Sequence, residues 1–428
     1  MSLAETAPYS RRPATALGGL EFWRNRLLWL LMASGWFVVI EPSPYELIFV
    51  LALVLFLPGG LRVPLVSAPL ILFLVLYNVG GALGLIGIIG DKDATWFIII
   101  SFYMAATALF FCFCITADPV RRMDAIRSGF IIAGVLGSIT GIIGYFGFFG
   151  MHEAWAPISR AQGTFKDPNV LATFLIPPFI FLAQDLLLGH AKRPVFSLGA
   201  LLIITIGLFL AFSRGAWINT GAAMIMLISM SLLLAPSNRL RNRVIFGSIG
   251  GAILLVVLIA VVMSIPQVQR IFEIRASFSQ SYDVGETGRF GNQVNSIPYI
   301  LTLPYGMYPR HFHTVFGEDP HNVYLNAFAS YGWLGGFSFV TLVITTVWVG
   351  WRACLPRTAW QHHAIAVFCP LVTTMAQGIQ IDIDHWRHFY LLLGCMWGLF
   401  AVTLAQQRAQ AEKIGPRIGD ARASGDLH

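Results

Sequence analysis

The chain has 428 residues, of which 56% are hydrophobic and only 11% are charged, whereas soluble domains carry about 25% charged residues. This composition excludes a soluble enzyme, a disordered protein and a disulfide-rich scaffold. The formal net charge is +7, and the placement of the basic residues indicates how the chain crosses a membrane.

Continuous apolar runs of roughly 15 to 25 residues predict an all-α polytopic membrane protein. We expect about twelve transmembrane helices, within two. The first two runs are short and meet at Glu41-Pro42-Ser43-Pro44, so they are tilted, interfacial or a hairpin. The predicted spans are 27–41, 45–60, 66–90, 95–117, 129–150, 170–188, 195–212, 215–235, 244–265, 334–351, 363–381 and 388–405.

Basic residues near span ends collect on the cytoplasmic side of a membrane. With the N-terminus inside, 19 of the 28 basic residues and 8 of the 21 acidic residues fall on the inner side. Both termini are therefore predicted to be cytoplasmic. Topology alone explains the net charge, so we expect no nucleic-acid partner.

The domain organisation follows from these spans. Residues 1–26 form a cytoplasmic N-terminal segment, 27–405 a single transmembrane domain, and 406–428 a polar cytoplasmic tail that we expect to be disordered. A long outer loop, about 266–333, carries short helices, and loops of this length are usually functional. The five cysteines lie in or beside apolar segments and are interpreted as small hydrophobic residues.

Two charged motifs lie at span ends on the predicted outer side. The first motif is Gly163-Thr164-Phe165-Lys166-Asp167-Pro168-Asn169, in which Asp167 or Asn169 can cap a helix. Capping does not explain Lys166, which could serve an anionic ligand. The second motif is Ser213-Arg214-Gly215-Ala216-Trp217. Its arginine either snorkels to lipid headgroups or faces a polar cavity.

Two further motifs lie in or just after the long loop. The third, Gly285-Glu286-Thr287-Gly288-Arg289-Phe290-Gly291-Asn292, fits a tight turn that presents a cation, although an ordinary solvated turn has the same pattern. The fourth, Asp319-Pro320-His321-Asn322-Val323-Tyr324-Leu325-Asn326, begins an amphipathic helix that leads into a span. His321 there is either a base that acts near neutral pH or an interfacial capping residue.

A metal site is an alternative use of the outer loops. His311 and His313 form a His-x-His pair, and Asp382, Asp384 and His385 lie on another outer loop. Imidazole and carboxylate groups are common zinc ligands. No spacing places two ligands on one helical face with a third nearby, so we expect no metal and no other cofactor.

Taken in this order, the four motifs resemble the O-antigen ligase and polymerase superfamily over about residues 163–336. Members are metal-independent glycosyltransferases that use undecaprenyl-diphosphate-linked glycans at the outer face of the bacterial inner membrane. The resemblance implies that Arg214 and Arg289 bind the donor diphosphate and that His321 is the catalytic base. The chain departs from better-known ligases in its short stretch, 266 to about 320, before the histidine-bearing helix.

The motifs contain no obvious nucleophile, so direct displacement with inversion is preferred to a covalent glycosyl-enzyme. The resemblance implies an active site that faces the periplasm. Lys166 is a further candidate contact to the donor diphosphate, and the candidate supporting residues are Asp167, Asn169, Asp319 and Asn322. The expected partners are the lipid-linked glycan donor, membrane lipids and a saccharide acceptor. A ligase, with lipid A core as acceptor, is slightly favoured over a repeat-unit polymerase, with a growing glycan as acceptor.

A polysaccharide or lipid transporter or flippase is the alternative from another class, because lone arginines and broken helices line substrate paths in transporters. Here the charged motifs gather on one predicted face, and no inverted repeat is evident. Convergence of Arg214, Arg289 and His321 on one outward cavity would favour the transferase. The sequence does not identify the acceptor, the sugars or the oligomeric state.

Overall fold

The computed structural model describes residues 17–275 and 288–423, and within these ranges all regular secondary structure is helical. The expected all-α membrane architecture is confirmed. The helices, in chain order, are α1 Leu17–Ser34, α2 Pro44–Phe56, α3 Ala68–Gly84, α4 Lys92–Ala117, α5 Pro119–Phe146, α6 His152–Trp155, α7 Pro168–Leu188, α8 Pro194–Leu210, α9 Arg214–Leu233, α10 Asn238–Met263, α11 Pro266–Arg275, α12 Arg289–Ile300, α13 Phe312–Phe316, α14 Val323–Cys354, α15 Gln361–Gln377 and α16 Arg387–Ala423.

Each of the twelve predicted spans overlaps one helix. Within the described residues, eight segments are long and apolar enough to cross a membrane, namely those built on α3, α4, α5, α7, α9, α10, α14 and α16, and α2 and α8 are shorter apolar helices. The remaining two, α1 and α15, have 18 and 17 residues. The short helices α11, α12 and α13 fall within the predicted long loop.

Helix α1 begins ten residues before the predicted first span, because its polar residues are paired inside the protein. Arg24 is 2% exposed, pairs with Glu21 and donates to the carbonyls of Leu55 and Pro58 at the end of α2. Arg122 of α5, fully buried, pairs with the same glutamate. Buried charges are tolerated when they are paired in this way.

Helix α16 continues to Ala423, well beyond residue 405, where the sequence predicted a disordered tail. As far as Lys413, the physical reason is composition, whereas Gly415 and Pro416 beyond it are poor helix formers. The segment after Thr403 begins Leu-Ala-Gln-Gln-Arg-Ala-Gln-Ala-Glu-Lys, which is too polar for a span but consists of strong helix formers. Low hydropathy alone therefore did not predict its conformation.

Helix α14 crosses α3 at close range and is broken near its start. A Cβ on Gly80 of α3 would lie 2.4 Å from the Tyr331 carbonyl oxygen, so only glycine fits there. One residue later, Gly332 has φ 64° and ψ −171°, which breaks α14. The Trp333 amide donates to the Pro304 carbonyl at 2.9 Å and the Ala329 carbonyl accepts from the Met307 amide. Loop 301–311 thus satisfies the backbone at the break.

Candidate active site

The first motif forms the start of α7. The Asp167 carboxylate accepts from the Asn169 amide at 2.6 Å and caps the helix, as the capping interpretation expects. Lys166 is exposed and pairs with Glu41 of the α1–α2 connection, with 2.5 Å between the ammonium and the carboxylate. The Asn169 side-chain oxygen accepts from Arg160 at 2.8 Å. The motif is therefore held by local contacts on both sides.

Arg160 is a site residue that the sequence analysis did not single out. Its side chain is 7% exposed. Besides Asn169, it donates through Nε to the Ala211 carbonyl at 2.8 Å, and the next amide, Ala161, donates to the Leu210 carbonyl. Arg160 thus joins the first motif to the turn that carries the second.

The second motif forms the α8–α9 turn. Phe212 there has a positive φ of 46°, and the Ser213 hydroxyl accepts from the Ala216 amide and caps α9. Arg214 is the first residue of α9 and is half-buried. One turn further on, Asn219 donates to Gln377 at the end of α15 at 2.6 Å. The N-terminus of α9 therefore packs on the C-terminus of α15.

The third motif is only partly described, because Gly285, Glu286 and Thr287 lie outside the described residues. Gly288 is the N-cap of α12 and Arg289 its first residue. Arg289 Nη2 lies 3.5 Å from the His321 carbonyl oxygen. The third and fourth motifs, which are 32 residues apart in sequence, therefore meet in space.

The fourth motif forms the start of α14. The Asn322 side chain accepts from the amides of Tyr324 and Leu325 at 3.0 and 3.1 Å and caps the helix. His321, just before the cap, is exposed and has a positive φ of 47°. This conformation is uncommon outside glycine. Side chains from two other elements hold the backbone around it.

Besides Arg289, these side chains are Gln293 of α12 and Asp382 of the α15–α16 connection. Gln293 donates to the Pro320 and His321 carbonyls at 3.0 and 3.3 Å, and the Asn322 amide donates to Asp382 at 3.1 Å. The neighbouring Asp384 is 2% exposed and accepts from Asn326. The turn that carries His321 is thus fixed from two directions.

The electrostatic surroundings of His321 favour its neutral form. Partial desolvation and the Arg289 cation lower the pKa of His321 below its ordinary value, while Asp319, Glu318 and Asp167 oppose this change. Asp319 itself lies 3.5 Å from Arg310 and 3.7 Å from His313. A neutral imidazole is the form that accepts a proton.

Asp382 is the second residue that the structure adds to the site. Burial and the neighbouring carboxylates of Asp384 and Asp319 raise the pKa of Asp382, and amide donation from Asn322 and His321 lowers it. The sequence analysis weighed this aspartate only as a metal ligand. Within the described ranges, no group of three or more histidine, cysteine, aspartate or glutamate side chains has metal-site geometry.

The four motifs gather at one end of the helix bundle. The Val323 amide of α14 donates to the Gly378 carbonyl at 2.8 Å, and Gln377, one residue earlier, accepts from α9. Helix α9 and the start of α14, just after His321, therefore contact two adjacent residues, Gln377 and Gly378, at the C-terminal end of α15. Asp167 of α7 acts on the His321 imidazole through its charge, which brings the first motif to the same end.

Residues 199–340 match the family model described as O-antigen ligase. The match supports the O-antigen ligase and polymerase superfamily. The resemblance expected from the motifs is therefore confirmed over this third of the chain, which contains Arg214, Arg289 and His321. The first motif, Arg160 and Asp382 lie outside the matched range. A comparison with curated proteins finds no match.

The family match and the membrane helices agree on the coarse description of the protein. It is a multi-pass membrane protein, and the match supports glycosyltransferase activity of the ligase or polymerase type. Lipid-linked glycans are the substrate class that the family implies.

Proposed function

We propose that the protein is an O-antigen ligase that moves a glycan from undecaprenyl diphosphate to lipid A core at the periplasmic face of the bacterial inner membrane. The observation that carries the proposal is the contact of Arg289 with His321, 3.5 Å between guanidinium and backbone carbonyl. This contact supports placing a cation and a candidate base close together at an exposed edge of the bundle. Transfer from a lipid diphosphate needs both groups.

In this mechanism, His321 is the general base. The acceptor hydroxyl oxygen forms a bond to the anomeric carbon, its proton passes to the His321 imidazole, and the bond from the anomeric carbon to the diphosphate oxygen breaks. Direct displacement inverts the anomeric centre. The lowered pKa of His321 keeps the imidazole neutral before the reaction, as a base requires.

Arginine side chains stabilise the leaving group in this proposal. The diphosphate departs with the electron pair of the broken bond, and the guanidinium groups of Arg289 and Arg214 offset its negative charge without a metal. The contacts of α9 and α14 with adjacent residues at the C-terminal end of α15 support placing Arg214 on the same side of the bundle as this group.

The first motif has a supporting role in the proposal. Asp167 caps α7 and contributes negative charge near His321, and Asn169 holds Arg160. Lys166 is paired with Glu41, so any contact with the donor diphosphate requires it to leave that carboxylate. We therefore expect Lys166 to contribute less to donor binding than either arginine.

The proposal is tested with the full chain in lipid nanodiscs, undecaprenyl-diphosphate-linked glycan and lipid A core. A new glycan–core product, formed without free glycan as intermediate, is expected. A gene deletion read on a polysaccharide gel should leave long glycan on the carrier lipid. Accumulation of single repeat units would instead identify a polymerase.

A transporter is distinguished in the same preparation. Movement of labelled lipid-linked glycan across a vesicle membrane, with no new glycosidic bond in the presence of acceptor, would overturn the transferase assignment.

A further inference from the structure

Helix α12 is oriented with its polar side inward. Gln293 and Ser296 are 8% and 0% exposed, whereas Val294 and Ile297 are 65% and 44% exposed. Phe290, one turn before Val294, is also exposed. Exposing such side chains to water costs about 25 cal/mol per Å² of apolar surface. The orientation is favourable when the outer face of α12 meets an apolar partner.

The inward polar face is fixed by the loop that carries His321. Gln293 donates to two carbonyls of that loop, and Asn292 donates to the Phe316 carbonyl at 3.0 Å. These bonds determine the rotation of α12 about its axis. The apolar stripe Phe290, Val294 and Ile297 is consequently left on the outside, next to the candidate active site.

A cavity of about 260 Å³ lies between this stripe and the first turns of α14. Carbon atoms make up most of its wall. Gln293 and Asn322 line the end nearest the active site, since Gln293 is one turn from Arg289 and Asn322 follows His321. The other lining residues are Val294, Ile297, Tyr324, Leu325 and Phe328.

We propose that this cavity binds the head-proximal isoprene units of the lipid donor while its diphosphate lies at Arg289. The inference rests on the proposed function and adds the position of the lipid chain. A molecule that fits has an anionic head and an apolar chain, because a cation lies beside one end of the cavity and the rest of the wall is apolar. A saccharide gains little from such a wall, since its hydroxyl groups would lose their hydrogen bonds to water.

The position beside His321 favours the donor over a bulk phospholipid as occupant. The anomeric carbon is bonded directly to the diphosphate, so the diphosphate must lie within reach of the base. The lipid chain begins on the other side of the diphosphate and has to leave the site along an apolar path. The cavity and the α12 stripe supply that path from the same end of the bundle.

The first experiment compares two donors that carry the same glycan diphosphate on either an undecaprenyl or a propyl group. The chain is assayed in nanodiscs of fixed composition as wild type, Val294→Trp and Leu301→Trp. Leu301 is 54% exposed just beyond α12 and does not line the cavity. We expect Val294→Trp to raise KM for the undecaprenyl donor about tenfold and to leave kcat/KM for the propyl donor within about twofold.

Equal effects of Val294→Trp and Leu301→Trp, or equal effects on both donors, would overturn the proposed chain position. No transfer by the wild type from either donor would instead overturn the proposed function. Since Val294 is exposed, Val294→Asn provides a second variant that adds polarity without adding volume, and the same selective rise in KM is expected.

The second experiment measures binding without turnover. A polyprenyl diphosphate with a diazirine in its first isoprene unit is irradiated with the full chain in nanodiscs. We expect label on the peptide that contains Val294 and Ile297, and loss of that label when unlabelled undecaprenyl diphosphate competes. Label elsewhere, or equal competition by phosphatidylglycerol, would contradict a donor-chain site.

Discussion

At the scale of single residues, the candidate site consists of a few side chains that come from distant parts of the sequence. Arg289 begins one helix, His321 precedes another, and Asp382 lies between two more. Arg289 and Asp382 contact backbone groups of the turn that carries His321, and His321 directly precedes the cap of α14. Helical periodicity does not bring these residues together. The chemistry of the site therefore depends on a small number of long-range contacts, and single substitutions should separate their roles.

The two candidate diphosphate arginines should be essential. Arg289→Ala and Arg214→Ala are each expected to reduce kcat/KM by about 100-fold or more, because removing one preorganised donor to a developing negative charge costs about that much. Lysine at either position should also be costly, since a point charge does not replace a planar guanidinium. The measurement is transfer in nanodiscs with matched protein amounts.

Arg241→Ala is the matched control for these variants. Arg241 is an exposed arginine near the start of α10 and is not part of the site. Its substitution should leave transfer unchanged. Near-normal transfer by both Arg289→Ala and Arg214→Ala would return these arginines to a role in lipid-headgroup contact.

The pH profile tests His321 as a base. Activity should fall as pH drops through the pKa of His321, because protonation removes the base. Partial desolvation and the Arg289 cation place that pKa below its ordinary value. Asp319 raises this pKa, so Asp319→Asn should move the acid limb of the profile to lower pH. His321→Ala should lose about 10² to 10⁴ in kcat and keep donor binding.

Two results would contradict this role. A loss of less than about tenfold in kcat for His321→Ala would show that the histidine has only a structural role. Activity that a chelator removes and zinc restores would favour the metal alternative based on His311 and His313.

Sequence patterns identified some residues of the site and missed others for a physical reason. Arg289 and His321 belong to short motifs with glycine, proline or asparagine neighbours, which are visible locally. Arg160 and Asp382 have no such neighbours. Their partners, Ala211 and Asn322, lie 51 and 60 residues away. Contacts over such distances depend on how helices pack, which a single sequence does not encode in any local pattern.

At the scale of elements, the membrane spans were easier to predict than the orientation of a helix about its own axis. Apolar runs located twelve helices because a membrane span needs many consecutive apolar residues. The amphipathic sequence of α12 does not reveal which face turns inward. That choice follows from Gln293 and Asn292, whose carbonyl partners lie in a loop more than twenty residues away.

The crossing of α3 and α14 should be sensitive to added volume. A Cβ on Gly80 would lie 2.4 Å from the Tyr331 carbonyl, so Gly80→Ala is expected to lower the free energy of unfolding by about 1–3 kcal/mol through overpacking. Thermal unfolding in detergent measures this. Gly221→Ala in α9 is the control, because its Cβ would have no neighbour within 4 Å. Equal stability of the two variants would show that α3 and α14 can move apart without a loss in the free energy of unfolding.

At the scale of the whole molecule, the distribution of charge predicts how the protein sits in the membrane. Arginine and lysine residues outnumber acids on the predicted inner side, and the four motifs lie at the other end of the bundle. The family match covers α9, α12 and the first half of α14 but neither terminus. The side on which each end of the bundle lies therefore remains a prediction.

Cysteine labelling tests this topology. All five native cysteines are buried, so the wild type should react slowly with a membrane-impermeant thiol reagent. Tyr305→Cys, at an exposed position of loop 301–311, should react from the periplasmic side. Arg241→Cys should react only after the membrane has been permeabilised. Labelling of both from the same side would contradict the predicted orientation. Ser281, in the same predicted loop, lies outside the described residues.

We expect the break at Gly332 also to set the height of the proposed catalytic end relative to the bilayer. From Trp333 to Cys354, α14 rises roughly 33 Å, enough to cross a hydrocarbon layer of about 30 Å. The turns from Val323 to Tyr331 are not needed for the crossing. These turns can lie at the level of the lipid phosphates, which is also the level of a membrane-anchored diphosphate. In the proposed mechanism, the donor then reaches His321 without leaving its leaflet, and only the acceptor has to approach from the water.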